Sequence, residues 1–489
     1  MPEIDDQTMM RPGDVVIDEI VLRSYTGFNL SLKGIFQNFT IYEDIFSNCM
    51  SGSVTLIDTM NLIKHFPIIG AETLTVKYKT PYKGSPLVKL VFRTYKISVK
   101  VATAQPFTQM VRVEFMSDHA FKSMQKKVSK SFPRMPVSKM VENIYLEYLA
   151  RTDEENSGIL SAALQGAVAG GMIGGVAGPI VGVAAAVAGA AVGAIKEAND
   201  DDRIPLRTVE ETYDTRSYVI PYWSPLYTIN WLAHKARSKY DTSLCDYVFY
   251  ENSDGHHFVP ISRLKQQPPK FTYTDYVQGF RSVTGERMME SELRNIITMT
   301  VEDISDRVKQ QSLGMLSSAM LAHDLVNKSW KTVHFNYDES FYRQGLHVEQ
   351  YPLLPAEKTD YTKAVESSLK YYPNTTYTVN GIVSNSEPEE TVLLRQSLLN
   401  QIHSMNLIVE CHGDTNVKVG QVIELRIPAP ESTKKADKYE DDYMRGRYLV
   451  TTVKHTVTDR EHTMVMTLSR DSLPEAITDF KKPELAVEN

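Results

Sequence analysis

The sequence predicts a mainly β protein with an α+β middle. Two β domains of similar size are joined by mixed domains, and an apolar Gly/Ala-rich helical insertion interrupts the chain. Three observations predict this. Apolar residues alternate every second position near both ends of the chain, the mark of strands with one buried face. Between those regions they recur three and four apart, the mark of amphipathic helices. From 156 to 195 no charged residue occurs at all.

The first β domain is expected over 1–117. In SGSVTLIDTM, Val54 and Leu56 face one way and Ser53, Thr55 and Ile57 the other. ETLTVKYKT repeats the pattern with Leu74, Val76 and Tyr78, and YKISVKVAT and QMVRVEFMS continue it. YKTPYKGSP between two of these runs is a turn-forming loop. A helical segment is expected over 118–155, where Val137, Met140, Val141, Ile144, Tyr145, Tyr148 and Leu149 line one face and Pro136 suits the first turn. Mixed α/β domains follow over 203–394. An extended segment and a turn at Ser224–Pro225 precede a helix carrying Ile229, Trp231, Leu232 and Ala233, and Asp254–Gly255 is the turn of a hairpin. The second β domain is expected over 395–475, with room for strands from the middle region. Leu407, Val409 and Cys411 align there, as do Ile423, Leu425 and Ile427. Residues 476–489 form a C-terminal tail.

The insertion, 156–202, has its own pattern. Gly166, Gly170, Gly174, Gly178 and Gly182 recur every fourth residue, and Ala186, Ala190 and Ala194 extend the register. Such a stripe lets a second helix approach closely. Pro179 breaks any continuous helix, so a helical hairpin is expected, with arms of roughly 28 and 24 Å at 1.5 Å per residue. The segment carries Val, Ile and Leu but no aromatic anchor, which suits helix packing better than residence in a bilayer.

At 489 residues the chain can hold two to four domains. Its 53 basic and 60 acidic residues give a net charge of −7, which argues against specific nucleic-acid binding. Cys49, Cys245 and Cys411 fit no metal spacing and read as free thiols of a reducing compartment. The opening MPEIDDQTMM lacks the basic and apolar regions of a signal peptide, so synthesis in the cytoplasm without secretion is expected.

Candidate chemistry is sparse. Ser123-x-x-Lys126 and Ser367-x-x-Lys370 match a spacing used by penicillin-binding enzymes, without the companion triplets. His256–His257 sits beside a turn, but adjacent strand residues point to opposite faces and no third ligand is spaced to join them. His412-x-Asp414 lies at a strand end and suits a turn. There is no HExxH, phosphate loop or dinucleotide fingerprint. No catalytic residue, cofactor or metal is expected.

Several stretches, in order, resemble one family. YEDIFSNCMSGSVTLIDTMNLIKHFPIIGAETLTVKYKTP, with Glu43–Asp44, Gly52, Asp58, Asn61 and the Gly70-Ala71-Glu72 step, is similar to the opening domain of the baseplate hub of contractile-tailed bacteriophages. VEFMSDHAFKSMQKKVSKSF, VIPYWSPLYTINWLAHKA, YVFYENSDGHHFVPISRL, GMLSSAMLAHDLVNKSW and GRYLVTTVKHTV resemble later segments of that family, whose hub is also related to the N-terminal part of type VI secretion spike proteins. The resemblance implies two tail-tube-like β-barrels per chain and a homotrimer that presents six of them. It implies a structural role in the virion tail baseplate: adapting a hexameric tail tube to a trimeric central spike, among wedge proteins, around a lumen for tape measure protein and DNA ejection. No spike β-helix follows before Asn489, which fits a phage-type hub with a separate spike. The alternatives are the hub of a contractile injection or type VI-like system, or a tail-tip protein with membrane-penetrating or cell-wall-degrading activity. The resemblance does not reach the insertion. Helix packing in the assembly, a grip on tape measure protein and transient contact with a host membrane all stay open for it.

Overall fold

The computed structural model describes residues 11–475 except 60–65, 67, 83, 103–107, 151–204, 214, 276–290, 305, 342–344, 352–368, 375–376, 380–381, 385–387, 429–440 and 442. The insertion and the C-terminal tail lie outside the described residues.

The alternating runs at both ends of the chain meet in a single 13-stranded sheet. Its path starts at Ile296–Ile304 and passes through Met405–His412, His462–Arg470 and Gly446–Thr458. It crosses to Phe36–Asp44, Ser51–Asp58, Gln109–Ser117, Val88–Ala102, Thr73–Lys79 and Val16–Arg23, and ends at Asn29–Ser31. Val422–Arg426 branches from Gly446–Thr458 and carries Phe271–Thr274 in parallel. The strands of the two expected β domains join as two halves of this one sheet. Two strands from the middle of the sequence, Phe271–Thr274 and Ile296–Ile304, join the second half.

Each half keeps its own core, filled by the positions the alternation selects. Leu74, Val76, Val54, Leu56, Val111, Val113 and Phe115 fill the first. Leu407, Val409, Cys411, Ile423, Leu425, Met464 and Met466 fill the second. Neither half is closed by a ladder among the described residues. In the second, Thr274 and Asn295 meet in a single parallel bridge, and the Thr274 amide donates to Arg294 O at 3.2 Å. In the first, Asp14 bridges to Glu461 in the turn of the last hairpin.

The middle region packs a third core around Val137, Met140, Val141, Ile144, Ile229, Leu232 and Phe249. Helix Val137–Ile144 runs on into the π-turn Tyr145–Leu149, and Pro136 is its N-cap. Helix Pro225–Ala233 starts after Ser224, with Pro225 in its first turn. The 118–155 segment is not helical throughout. Helix Asp118–Gln125 is followed by strand Val128–Pro136, which pairs with Thr215–Trp223. Val128 and Phe132 are four apart, which mimics a helical period, but flanking residues stay exposed because only one strand covers this one.

The residues of the family-like opening have structural work. Glu72 is buried and accepts from the Ile69 and Gly70 amides (2.7 and 3.0 Å) and from Thr94 Oγ1 (2.7 Å), while Gly70 takes φ +87° to make that step. Gly52 lies where two strands press together. A Cβ there would sit 2.1 Å from the Thr40 carbonyl oxygen and 2.6 Å from the Phe115 ring. Gly52→Ala should therefore lower stability by about 1–3 kcal/mol through overpacking. Denaturant unfolding of the variant checks this; an unchanged midpoint contradicts the packing.

Candidate functional site

The hairpin Tyr247–Asn252 and Gly255–Pro260 holds the three cores together. Its turn is Ser253–Asp254, one residue before the expected Asp254–Gly255; Gly255 opens the second strand at φ +137° and pairs with Asn252. Alternation along its first strand serves two cores at once. Tyr247 and Phe249 enter the middle core, whereas Val248 and Tyr250 enter that of the second sheet half. The next residue, Glu251, reaches the first half. Its carboxylate accepts from the Met50 amide at 2.9 Å and from Ser117 Oγ at 2.9 Å.

Glu43, on Phe36–Asp44, makes the complementary link. It accepts from the Ser253 amide at 3.1 Å and the Val419 amide at 3.2 Å. One carboxylate thus joins the first half, the hairpin and the second half. Lys418 pairs with Asp254 across the hairpin turn, and His257 Nε2 meets Asn252 Oδ1 at 3.1 Å. A cleft of about 790 Å³ opens alongside, lined by Glu210, Tyr240, His257, Arg263 and Gln267 among others.

Burial favours the neutral forms of several groups at this junction. It pushes the Glu43 carboxyl up to about 7, against the pull of the Val419 amide and the Lys418 charge. It pushes Glu251 up to about 8, against the Met50 and Ser117 bonds. It lowers His119 to about 3 and holds His256 well below the ordinary histidine value. It also raises the Cys49 thiol well above its ordinary value, so this cysteine is no activated nucleophile.

The sequence motifs resolve individually. Ser123 Oγ accepts from the Leu226 amide at 3.1 Å and ties two helices together. Ser367 lies outside the described residues. His256 and His257 do face opposite ways: His256 stacks on Phe249 and His257 on Tyr250, each at 5.0 Å. Asp414 serves its turn, accepting from the Asn416 amide at 2.8 Å. Gly166, Gly170, Gly174, Gly178, Pro179 and Gly182 lie outside the described residues. Cys49 and Glu251 carried no signal beside His256 in the sequence, since about two hundred positions separate Cys49 from the other two. The fold nevertheless brings all three together.

Exposed apolar residues gather on two surfaces. The first is the edge strand Ile296–Ile304, where Ile297, Val301 and Ile304 are exposed. The second is the small sheet of Ser317–Asp324, Ser329–Asn336 and Leu369–Asn374. There His323 stacks on Trp330 at 3.9 Å and bonds Tyr371 Oη at 2.7 Å. Among the described residues no helix is long and apolar enough to cross a membrane.

Glu43 makes the junction sensitive to pH. Its carboxyl is raised from an ordinary 4.5 to about 7 in the folded chain. The stability this protonated form contributes is complete below about pH 4.5 and is lost as pH rises through about 7. Glu43→Gln keeps one acceptor and turns an amide N–H toward the other backbone donor. The wild type should exceed this variant in stability most near pH 4.5, with the gap shrinking on the order of 3 kcal/mol toward pH 8. Urea midpoints across that range measure the gap, and a pH-independent gap contradicts the assignment.

No family model matches the chain, and no curated protein matches it. Solved structures do. The tail protein from Neisseria meningitidis MC58 is 8% identical, with 94% of this chain and 97% of that chain covered and a TM-score of 0.47. The 43 kDa tail protein of prophage MuSo2 from Shewanella oneidensis is 9% identical, with 93% and 98% covered and a TM-score of 0.47. A component of the E. coli type VI secretion system, described as structurally similar to the T4 bacteriophage tail proteins gp27 and gp5, is 8% identical. There 95% of this chain and 79% of that chain are covered, with a TM-score of 0.39. The structural neighbours are thus phage tail proteins and a type VI secretion component.

Proposed function

We propose that this protein is a structural baseplate hub of a contractile phage tail. Three copies form a ring that presents six tube-wall units to a hexameric tail tube and three-fold symmetry to a central spike. The observation that carries this reading is the two-halved sheet, in which one strand, Gly446–Thr458, belongs to both β units of a chain. Each half is read as one tail-tube-like barrel, a reading the Thr274–Asn295 bridge supports in the second. A chain with two such units converts three-fold into six-fold symmetry without a second gene product. Tape measure protein and DNA would pass through the lumen, wedge proteins would surround the ring, and the chain itself would do no chemistry.

The edge strand Ile296–Ile304 supports the ring. An exposed strand edge with apolar residues is a liability unless another chain covers it. Purified protein should elute with a mass about three times that of the 55.3 kDa chain and give three-fold particles by electron microscopy. A monomer, or a two-fold dimer, contradicts the reading. Ile297→Lys combined with Val301→Lys should dissociate the trimer and leave the circular dichroism of the chain unchanged.

The insertion, in this reading, projects toward the trimer axis, where its small-residue stripe packs helix on helix or grips tape measure protein. Replacing 157–196 with a short Gly-Ser linker should leave the ring intact and reduce infection by assembled tails. Infection at normal efficiency would dismiss a role for the insertion.

A further inference from the structure

The strongest unassigned feature is a side-chain cluster between the turn after Phe36–Asp44 and the hairpin. Cys49, Glu251 and His256 bring a thiol, a carboxylate and an imidazole together, with all three donor atoms within 4.8 Å of one another. His256 and Glu251 are fully buried, and His256 Nε2 lies 3.8 Å from Glu251 Oε2. That nitrogen makes no hydrogen bond of good geometry, although it is sealed from solvent and the Asn48 backbone lies near enough to act on the ring. An unmatched buried polar atom is costly and calls for an unseen water or ion.

We propose that Cys49 Sγ, Glu251 Oε2 and His256 Nε2 form a binding site for a thiophilic divalent transition-metal ion, zinc by its donor set. A thiolate, an imidazole and a carboxylate together are zinc-type ligands; magnesium and calcium prefer oxygen alone. Tetrahedral zinc with ordinary bond lengths holds its ligand atoms about 3.3–3.6 Å apart, so the Glu251–His256 spacing is close to the required one. The Cys49 thiol closes the remaining gap; as the metal binds, the thiol and the Glu251 carboxyl, protonated near neutral pH in the metal-free chain, each lose a proton to solvent. Each Glu251 oxygen accepts one hydrogen bond and keeps a lone pair for the metal. Those same bonds orient the carboxylate. On the other side of the ring, Tyr145 Oη lies 3.4 Å from His256 Nδ1, the position from which a partner fixes the imidazole of a metal ligand. Cys49 is the one partly exposed member, so the fourth position, open to water, lies on its side.

The fold gives such an ion a purpose. Cys49 sits in the turn of the first sheet half, and Glu251 and His256 sit on facing positions of the hairpin. A metal here clamps the hairpin to the first half beside the Glu43 link. The site uses residues of one chain only, so it stands whether or not the chain forms a trimer.

The test uses full-length, tag-free protein equilibrated with zinc and then freed of unbound metal. Mass spectrometry should count one zinc per chain, and thermal unfolding should shift upward relative to chelator-treated protein. Cobalt(II) should give tetrahedral d–d bands and a thiolate-to-metal charge-transfer band. Cys49→Ala should lose the charge-transfer band and the zinc-dependent shift, while its circular dichroism in chelator matches the wild type. His256→Asn should weaken zinc binding by roughly tenfold or more. Absence of bound zinc in the wild type overturns the proposal. So does an unchanged zinc count and cobalt spectrum in Cys49→Ala, which stays informative even where His256→Asn fails to fold.

Discussion

Everything in this fold depends on how one strand changes partners. Along one edge, Gly446–Thr458 pairs with His462–Arg470. Along the other edge, its first residues pair with Val422–Arg426 and its later ones with Phe36–Asp44. The exchange takes place at two neighbouring carbonyls. Val450 O accepts from the Gly420 amide of the second half, and Thr451 O accepts from the Ile45 amide of the first. A register shift falls between Val450 and Thr452, the position of a bulge, and bulges bend a strand and increase its twist. Thr451 is displaced from the ladder there but not left unbonded: its Oγ1 donates to Thr467 O at 3.0 Å. One bent strand can therefore line two cores, with Tyr448 and Val453 in the second and Val457 in the first.

A shared strand alone would leave a hinge, and the buried polar groups remove it. Backbone amides that point into the junction need acceptors, which apolar side chains cannot supply. Glu43 and Glu251 supply them from the interior. Burial keeps Glu251 largely protonated and Glu43 about half protonated near neutral pH, so together they cost less than two buried charges would. Lys265 and Asp471 solve a similar problem as a charged pair at 2.6 Å, with Asp471 also accepting from the Leu346 amide. The junction is thus specified by hydrogen bonds within a mostly apolar mass.

Strands and cores were readable from alternation because alternation is the physical cause of a one-sided face. Leu74, Val76 and Tyr78 are buried as their spacing demands, and the hairpin forms where Asp254 and Gly255 signal it, with its turn one residue earlier at Ser253–Asp254. The strand Val128–Pro136 was hidden, because Val128 and Phe132 imitate a helical period and two prolines blur the strand signal. The fusion of the halves was also hidden. Phe36–Asp44 and Gly446–Thr458 lie about four hundred positions apart, and no local pattern specifies a pairing at that distance. The same holds for Cys49 beside Glu251 and His256. Spacing in the sequence excludes only metal sites made from neighbouring residues.

The central claim is that the shared strand makes the two halves one cooperative unit. Native-state hydrogen exchange tests it most directly. If the claim holds, slow amides of Thr73–Lys79 in the first half and of Met405–His412 in the second should exchange through the same global opening, with free energies within about 1 kcal/mol of each other. Exchange of the first half through a separate, lower-energy opening, with the second half still protected, would contradict it.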